Sequence, residues 1–120
     1  MAQDIRPRRS VLYMPGSNAR AMEKAKTLAA DALILDLEDS VADERQEIAR
    51  EMTCAYLKDR PDRSKQQLWV RINPLDNPLS LPDLAAVMPG APDGIVLPKV
   101  YSSEEVNLLA DYLDILEVSQ

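Results

Sequence analysis

The stretch from Ala32 to Val41, ALILDLEDSV, constrains this chain more than any other. Its opening run, Ala32-Leu33-Ile34-Leu35, is apolar without alternation, the pattern of a strand buried on both faces. Strands of that kind belong to parallel sheets covered by helices. This one leads into three carboxylates, Asp36, Glu38 and Asp39. In parallel α/β sheets the chemistry gathers at the carboxyl ends of the strands, so the acids stand where a site is built. Charges there are costly to desolvate unless they pair, accept hydrogen bonds or meet a cation. One such acid alone reads as a helix cap or an arginine's partner. Three within four residues point to function.

The rest of the chain repeats one plan. Ser10 to Met14 is a short apolar strand closed by the turn signal Pro15-Gly16. Ser17 or Asn18 can cap the helix that follows, with Ala21, Met22, Ala25, Leu28 and Ala29 as its apolar stripe. After the acidic strand end, Asp43-x-x-Gln46 reads as a capping pair, and Ile48, Met52, Ala55 and Tyr56 as the next stripe. Arg45, Glu47, Arg50 and Glu51 read as its solvated face. A third strand, Gln67 to Ile72, ends in Arg71, Asn73 and Pro74. Ser80 and Pro82 open a short helix carrying Leu84, Val87 and Met88. Gly94 to Leu97 is a fourth strand, followed by Pro98-Lys99. Ser102-x-x-Glu105 is a capping box ahead of the stripe Val106, Leu109, Ala110, Leu113 and Leu116. Strands are therefore expected near residues 10–14, 32–36, 67–72 and 94–97 of one domain, 1–120. Strict β-α alternation implies a parallel sheet with right-handed crossovers, an α/β fold. Every flagged polar residue lies after a strand and before a helix, on one shared edge.

Composition removes several function classes. There is no histidine, which excludes Ser-His-Asp and Cys-His catalysis and histidine metal sites within these residues. Carboxylate, arginine and lysine chemistry remains, and oxygen ligands suit magnesium or calcium. A net charge of −6 leaves no basic stripe for nucleic acid. No apolar run approaches the ~20 residues of a membrane span, and the basic start lacks the apolar region of a secretory signal. The single cysteine, Cys54, excludes an internal disulfide and fits a reducing compartment, the cytoplasm. There is no P-loop or GxGxxG fingerprint, and three glycines leave little material for a phosphate-cradling loop. Arg71 suits a salt bridge to the neighbouring acids, a planar fork for a substrate carboxylate, or both at once. Lys99 either snorkels to solvent or meets an anion.

Four motifs in register carry a resemblance: Arg9 to Ser17 (RSVLYMPGS), Ala29 to Asp39 (AADALILDLED), Val70 to Pro74 (VRINP) and Gly94 to Val100 (GIVLPKV). In that order and spacing they resemble the N-terminal part of the citrate lyase beta-subunit-like CoA-ester lyases, the aldolase/citrate lyase family. The likeness runs from about Arg8 to Glu117. It implies the N-terminal half of a (β/α)8 TIM-type barrel. It also implies magnesium-dependent cleavage or condensation of a carbon–carbon bond beside a CoA thioester of malyl, citramalyl or citryl type. By resemblance Arg71 holds the substrate's carboxylate or carbonyl, with Asn73 beside it. Glu38 and Asp39 match acids near metal-bound water and substrate, and Arg9 and Lys99 match basic positions at the site mouth. The expected partners are a CoA thioester and a small carboxylic acid in a homo-oligomer, with no nucleic acid and no membrane. The family's chain is much longer, and its two magnesium carboxylates match nothing up to Gln120. No metal ligand is therefore expected within these residues, and the chain reads as an incomplete barrel, inactive alone.

Two other readings compete. One is a non-catalytic half barrel that dimerises through its open edges or complements a partner. The other is a phosphoacceptor domain of the receiver type, which needs an acidic pair after the first strand and an aspartate after the third. Those positions hold Pro15-Gly16 and Asn73-Pro74.

Overall fold

Strand and helix alternate through the whole described chain. A computed structural model describes residues 10–100 and 103–118. The order is β1 (Val11–Pro15), α1 (Ala19–Ala25), β2 (Ala32–Asp36), α2 (Gln46–Asp59), β3 (Gln67–Arg71), α3 (Ser80–Val87), β4 (Gly94–Val96) and α4 (Ser103–Val118). The strands form one parallel sheet in the order β1-β2-β3-β4. The sequence-expected strand limits hold to within one residue at each end.

That order has a geometric consequence. Each strand pairs with its predecessor in the same direction, so right-handed crossovers place every helix on one face of the sheet. The core shows this. Met14, Leu33, Leu35, Leu68 and Val70 from the strands pack with Met22 and Ala25 of α1, Ala49 and Leu57 of α2, Leu84 and Val87 of α3, and Leu109 of α4. Full burial of a leucine or valine side chain contributes roughly 1.5–3 kcal/mol, so this layer dominates the stability of the sheet. β2 is buried at all five positions, as its unbroken apolar run predicts. A receiver-type domain is doubly wound, with its strand order reversing once. The unreversed order rules that fold out.

The opposite face carries Tyr13, Ile34, Trp69 and Gly94 in one register row, and Asp36, Arg71 and Val96 in the next. No helix of the described residues covers it, and Tyr13 is 51% exposed. Trp69 lies directly over Gly94, where any Cβ would collide with the indole ring.

Helix phases differ from expectation in three places. α1 ends at Ala25 because its last amides bond three residues back (Thr27 N to Lys24 O, 3.1 Å; Leu28 N to Ala25 O, 3.2 Å). That tighter turn swings Leu28 and Ala29 out to solvent. The chain enters α2 through a 3-10 turn, Asp43–Arg45, so the buried stripe becomes Gln46, Ala49, Thr53, Tyr56 and Leu57, while Ile48 and Ala55 face outward. Asp43 and Gln46 therefore form no capping pair; the Gln46 amide donates to Val41 O at 3.3 Å. In α4, Leu109 is buried and Leu113 and Leu116 pack on the core, but Val106 and Ala110 are exposed. Ser102 lies outside the described residues. Asn18 caps α1 as expected, accepting from Ala21 N at 3.0 Å. No helix of the described residues is long and apolar enough to cross a membrane.

Gly16 joins the ends of β1 and β2, donating its N–H to Asp36 O at 2.8 Å. A Cβ there would stand 2.5 Å from Thr53 Oγ1 and 3.0 Å from Asp36 O. Gly16→Ala is expected to destabilise the protein by about 1–3 kcal/mol in urea unfolding. The Thr53 hydroxyl is buried without a hydrogen-bond partner among the described residues. Thr53→Val is expected to raise stability by about 1 kcal/mol in the same assay.

Candidate active site

The site begins with the register of β2 and β3, which sets Asp36 beside Arg71 on the open face. The ladder continues past the strands, with Leu37 N donating to Arg71 O at 2.9 Å and Ile72 N to Val96 O at 3.2 Å. The carboxyl ends of the strands are thereby held in a row. Neighbouring strands lie about 4.8 Å apart, within reach of an arginine fork.

Arg71 donates from Nε to Asp36 Oδ1 and from Nη2 to Asp36 Oδ2, both at 2.8 Å. Asp36 also accepts from Glu38 N at 2.9 Å, Ser40 N at 3.0 Å and Ser40 Oγ at 2.6 Å. Burial pushes this carboxyl up, but the hydrogen bonds from Arg71, Ser40 and the Glu38 and Ser40 amides outweigh it and hold it at about 2. Arg71 is held firmly protonated, mainly by its bond to Asp36 and against the pull of desolvation. Asp36 is thus neither a base nor a free ligand. It anchors the arginine and winds residues 37–40 around its two oxygens.

The next two acids turn toward the fourth strand. Glu38 is buried, and its Oε2 accepts from Lys99 Nζ at 2.6 Å; its Oε1 lies 3.7 Å from Arg71 Nε. Asp39 is exposed and meets the same ammonium at 3.4 Å. Glu38 is the main cause of the raised Lys99 pKa, ahead of the opposing desolvation and the smaller help of Asp39. Lys99 has a left-handed backbone, φ 53°. That conformation costs a non-glycine residue on the order of 1 kcal/mol, and here two carboxylates hold its side chain in place.

Asn73 sits below this layer. Its amide nitrogen donates to Asp83 Oδ2 at 2.7 Å, Leu37 O at 3.0 Å and Gln46 Oε1 at 3.3 Å, and its backbone N–H donates to Asp83 Oδ2 at 2.9 Å. Asp83 is fully buried, and its Oδ1 accepts from Arg50 Nε at 2.8 Å. Arg50, expected on a solvated face, is instead half-buried and ion-paired, because the phase shift of α2 turns it toward α3. This buried strut ties the loop after β2 to the loop after β3. Asp83 carried no sequence signal beyond its place in the first turn of α3. Asn73 also borders a polar pocket of about 290 Å³ with Glu38, Asp39, Asn77 and Lys99.

Four of the sequence-derived candidates, Glu38, Asp39, Arg71 and Lys99, therefore meet in one cluster, with Asn73 beneath it. Arg9 lies outside the described residues. These residues do not by themselves form a magnesium site. Both Asp36 oxygens are filled by donors, Glu38 is paired with Lys99, and no metal-ligating group of three or more occurs among the described residues.

This is a one-sided β-α sheet with an acid–arginine cluster on its carboxyl edge. The chain belongs to the HpcH/HpaI aldolase/citrate lyase family, whose profile matches residues 9–118. It is 42% identical over 113 residues to (3S)-malyl-CoA thioesterase of Cereibacter sphaeroides, covering 94% of this chain and 39% of that protein. It is 40% identical over 101 residues to citrate lyase subunit beta of Escherichia coli, covering 84% of this chain and 33% of that one. Among solved structures it resembles CitE from Mycobacterium tuberculosis in complex with magnesium, acetoacetate and coenzyme A. The TM-score there is 0.68 at 35% identity, over 84% of this chain and 36% of that one. The chain thus spans well under half the length of the curated relatives it matches.

The depressed Asp36 pKa links stability to pH. Its ordinary value is near 3.8 and its folded value about 2. The contribution, about 2 kcal/mol, is fully present above about pH 4 and is lost as pH falls through about 2. Urea midpoints measured from pH 5 to pH 2 are expected to fall across that window, and Asp36→Asn to flatten it. Asp83→Ala strands a half-buried arginine and two Asn73 donors. Its expected cost is about 3–5 kcal/mol of unfolding free energy.

Proposed function

We propose that this chain forms the N-terminal four β-α units of a (β/α)8 enzyme. The complete protein would cleave or form a carbon–carbon bond in the CoA thioester of a hydroxy di- or tricarboxylic acid. The observation that carries this reading is Arg71 itself. One edge of its guanidinium is spent on Asp36, which leaves the remaining N–H donors for an anion. An arginine so anchored binds a carboxylate bidentately in a fixed plane. The unreversed strand order and uncovered face support the barrel, because a closing sheet turns such a face inward.

In this reading Arg71 orients the substrate's carboxylate or carbonyl and offsets charge developing next to it. Glu38 and Asp39, at the rim of the polar pocket, relay a proton through water. Arg9 and Lys99 are the basic residues assigned to the mouth, with CoA phosphates or neighbouring acids as their partners; Lys99 pairs with Glu38 and Asp39 and keeps a half-exposed side chain for an incoming anion. Asn73 borders the substrate while fixing the loop after β2. The cluster's formal charge also bears on the cofactor. Asp36, Glu38 and Asp39 outnumber Arg71 and Lys99 by one, so a second anion is repelled unless a cation accompanies it. Magnesium accompanies the ligands of the solved relative, and its ligands here are expected from residues beyond Gln120. When bound, it polarises substrate oxygens as a Lewis acid. The complete protein is proposed to work as a homo-oligomer in the cytoplasm, where the free Cys54 stays reduced.

The malyl-CoA thioesterase relative favours a second reading, hydrolysis of the thioester. Products separate the two. Malyl-CoA would give glyoxylate and acetyl-CoA by carbon–carbon cleavage, but malate and free CoA by hydrolysis. Arg71→Ala in the complete protein is expected to lower kcat/KM by roughly 100-fold or more, and Arg71→Lys not to restore it, because an ammonium lacks the fork. Wild-type kinetics in Arg71→Ala would remove the assignment.

A further inference from the structure

Arg71 is held on a second side, by a residue that the sequence showed only as part of the first apolar strand. Its Cζ lies 4.9 Å from the centroid of the Tyr13 ring, within the range of a cation–π contact. Tyr13 stands on β1, on the open face, one strand beyond the Ile34 it pairs with. Asp36 takes the Nε and Nη2 hydrogens on one edge of the guanidinium. The ring lies against Arg71 from a different strand. A planar group fastened by a carboxylate fork and an aromatic ring loses most of its rotational freedom.

The same residues frame a space. Tyr13, Pro15, Asp36, Ser40 and Arg71 line a pocket of about 220 Å³ at the carboxyl edge of the sheet. Asp36 is saturated by its donors, so the remaining guanidinium N–H groups are the strong donors left to a ligand entering there. Among the described residues Tyr13 is half exposed and lies outside the helix-packed core. Its contact with Arg71 is therefore the interaction that its removal would test.

We propose that Tyr13 is a positioning residue. It fixes the plane of the Arg71 guanidinium so that the outer Nη1–Nη2 edge presents two parallel N–H groups to a substrate carboxylate. The inference rests on the reading of Arg71 as the carboxylate clamp. It adds a specificity element, since a fixed edge favours a planar carboxylate over a carbonyl or hydroxyl oxygen that needs one donor.

The test uses steady-state kinetics of the complete protein with malyl-CoA, and inhibition by malate as a carboxylate probe. Tyr13→Leu, which removes the ring, is expected to raise KM and the malate inhibition constant by roughly 3–30-fold, with kcat changed by less than about twofold. Tyr13→Phe, which keeps the ring, is expected to restore both constants to within about twofold of wild type. Tyr13→Met serves as a second ringless variant, and melting curves check that each protein is folded. Wild-type KM and malate inhibition in both ringless variants, with Arg71→Ala impaired as expected, would overturn this inference alone. Equal impairment of Tyr13→Phe and Tyr13→Leu would also overturn it, by assigning the effect to the hydroxyl. Full activity in Arg71→Ala would overturn the clamp itself and this inference with it.

Discussion

The fork between Asp36 and Arg71 organises the carboxyl edge of the sheet. A carboxylate that is 2% exposed is tolerated only because five hydrogen bonds converge on it. Two come from the guanidinium and the others from the Glu38 and Ser40 amides and the Ser40 hydroxyl. The chain after β2 must therefore curl back over its own last side chain. That curl points Glu38 toward β4 and leaves Asp39 at the surface. Each downstream feature of the site follows from keeping one buried charge satisfied.

The fork in turn depends on register. A one-residue slip between β2 and β3 would move Arg71 to the helix-covered face and bury its charge among leucines. Register is held by apolar packing on that face, where Leu35 and Val70 lie side by side, and by Trp69 seated over Gly94 on the other. The polar strut of Asp83, Asn73 and Arg50 adds a second brace below the loops. Two non-glycine residues among those described, Ala91 and Lys99, take a left-handed backbone. Lys99 keeps a left-handed backbone beside two carboxylates, a pattern that belongs to sites whose surroundings over-determine their geometry.

Much of this was legible in the amino-acid order. The unbroken apolar run of β2, the turn at Pro15-Gly16 and the alternation of elements were enough to place the strands. The concentration of Arg71, Glu38, Asp39 and Lys99 after strands was enough to bring them to one edge. Helix faces were less legible. The stripe of α2 moved because a 3-10 turn changed its phase, and that turn has no strong local signature. Arg50 was misplaced for the same reason, and Asp83 looked like an ordinary first-turn acid.

By itself, then, the sequence determined the class of fold and the edge on which the charged side chains gather, because both follow from local pattern: hydrophobic period, turn residues and the position of charges relative to strands. Only the tertiary structure decided which acid serves which cation. Asp36, which stood undistinguished among three carboxylates, became the anchor of Arg71. Tyr13, which read as one apolar strand residue among several, lies against the guanidinium. These pairings join residues 35 and 58 positions apart, and such distances are set by strand register and crossover geometry, which no local window of sequence contains.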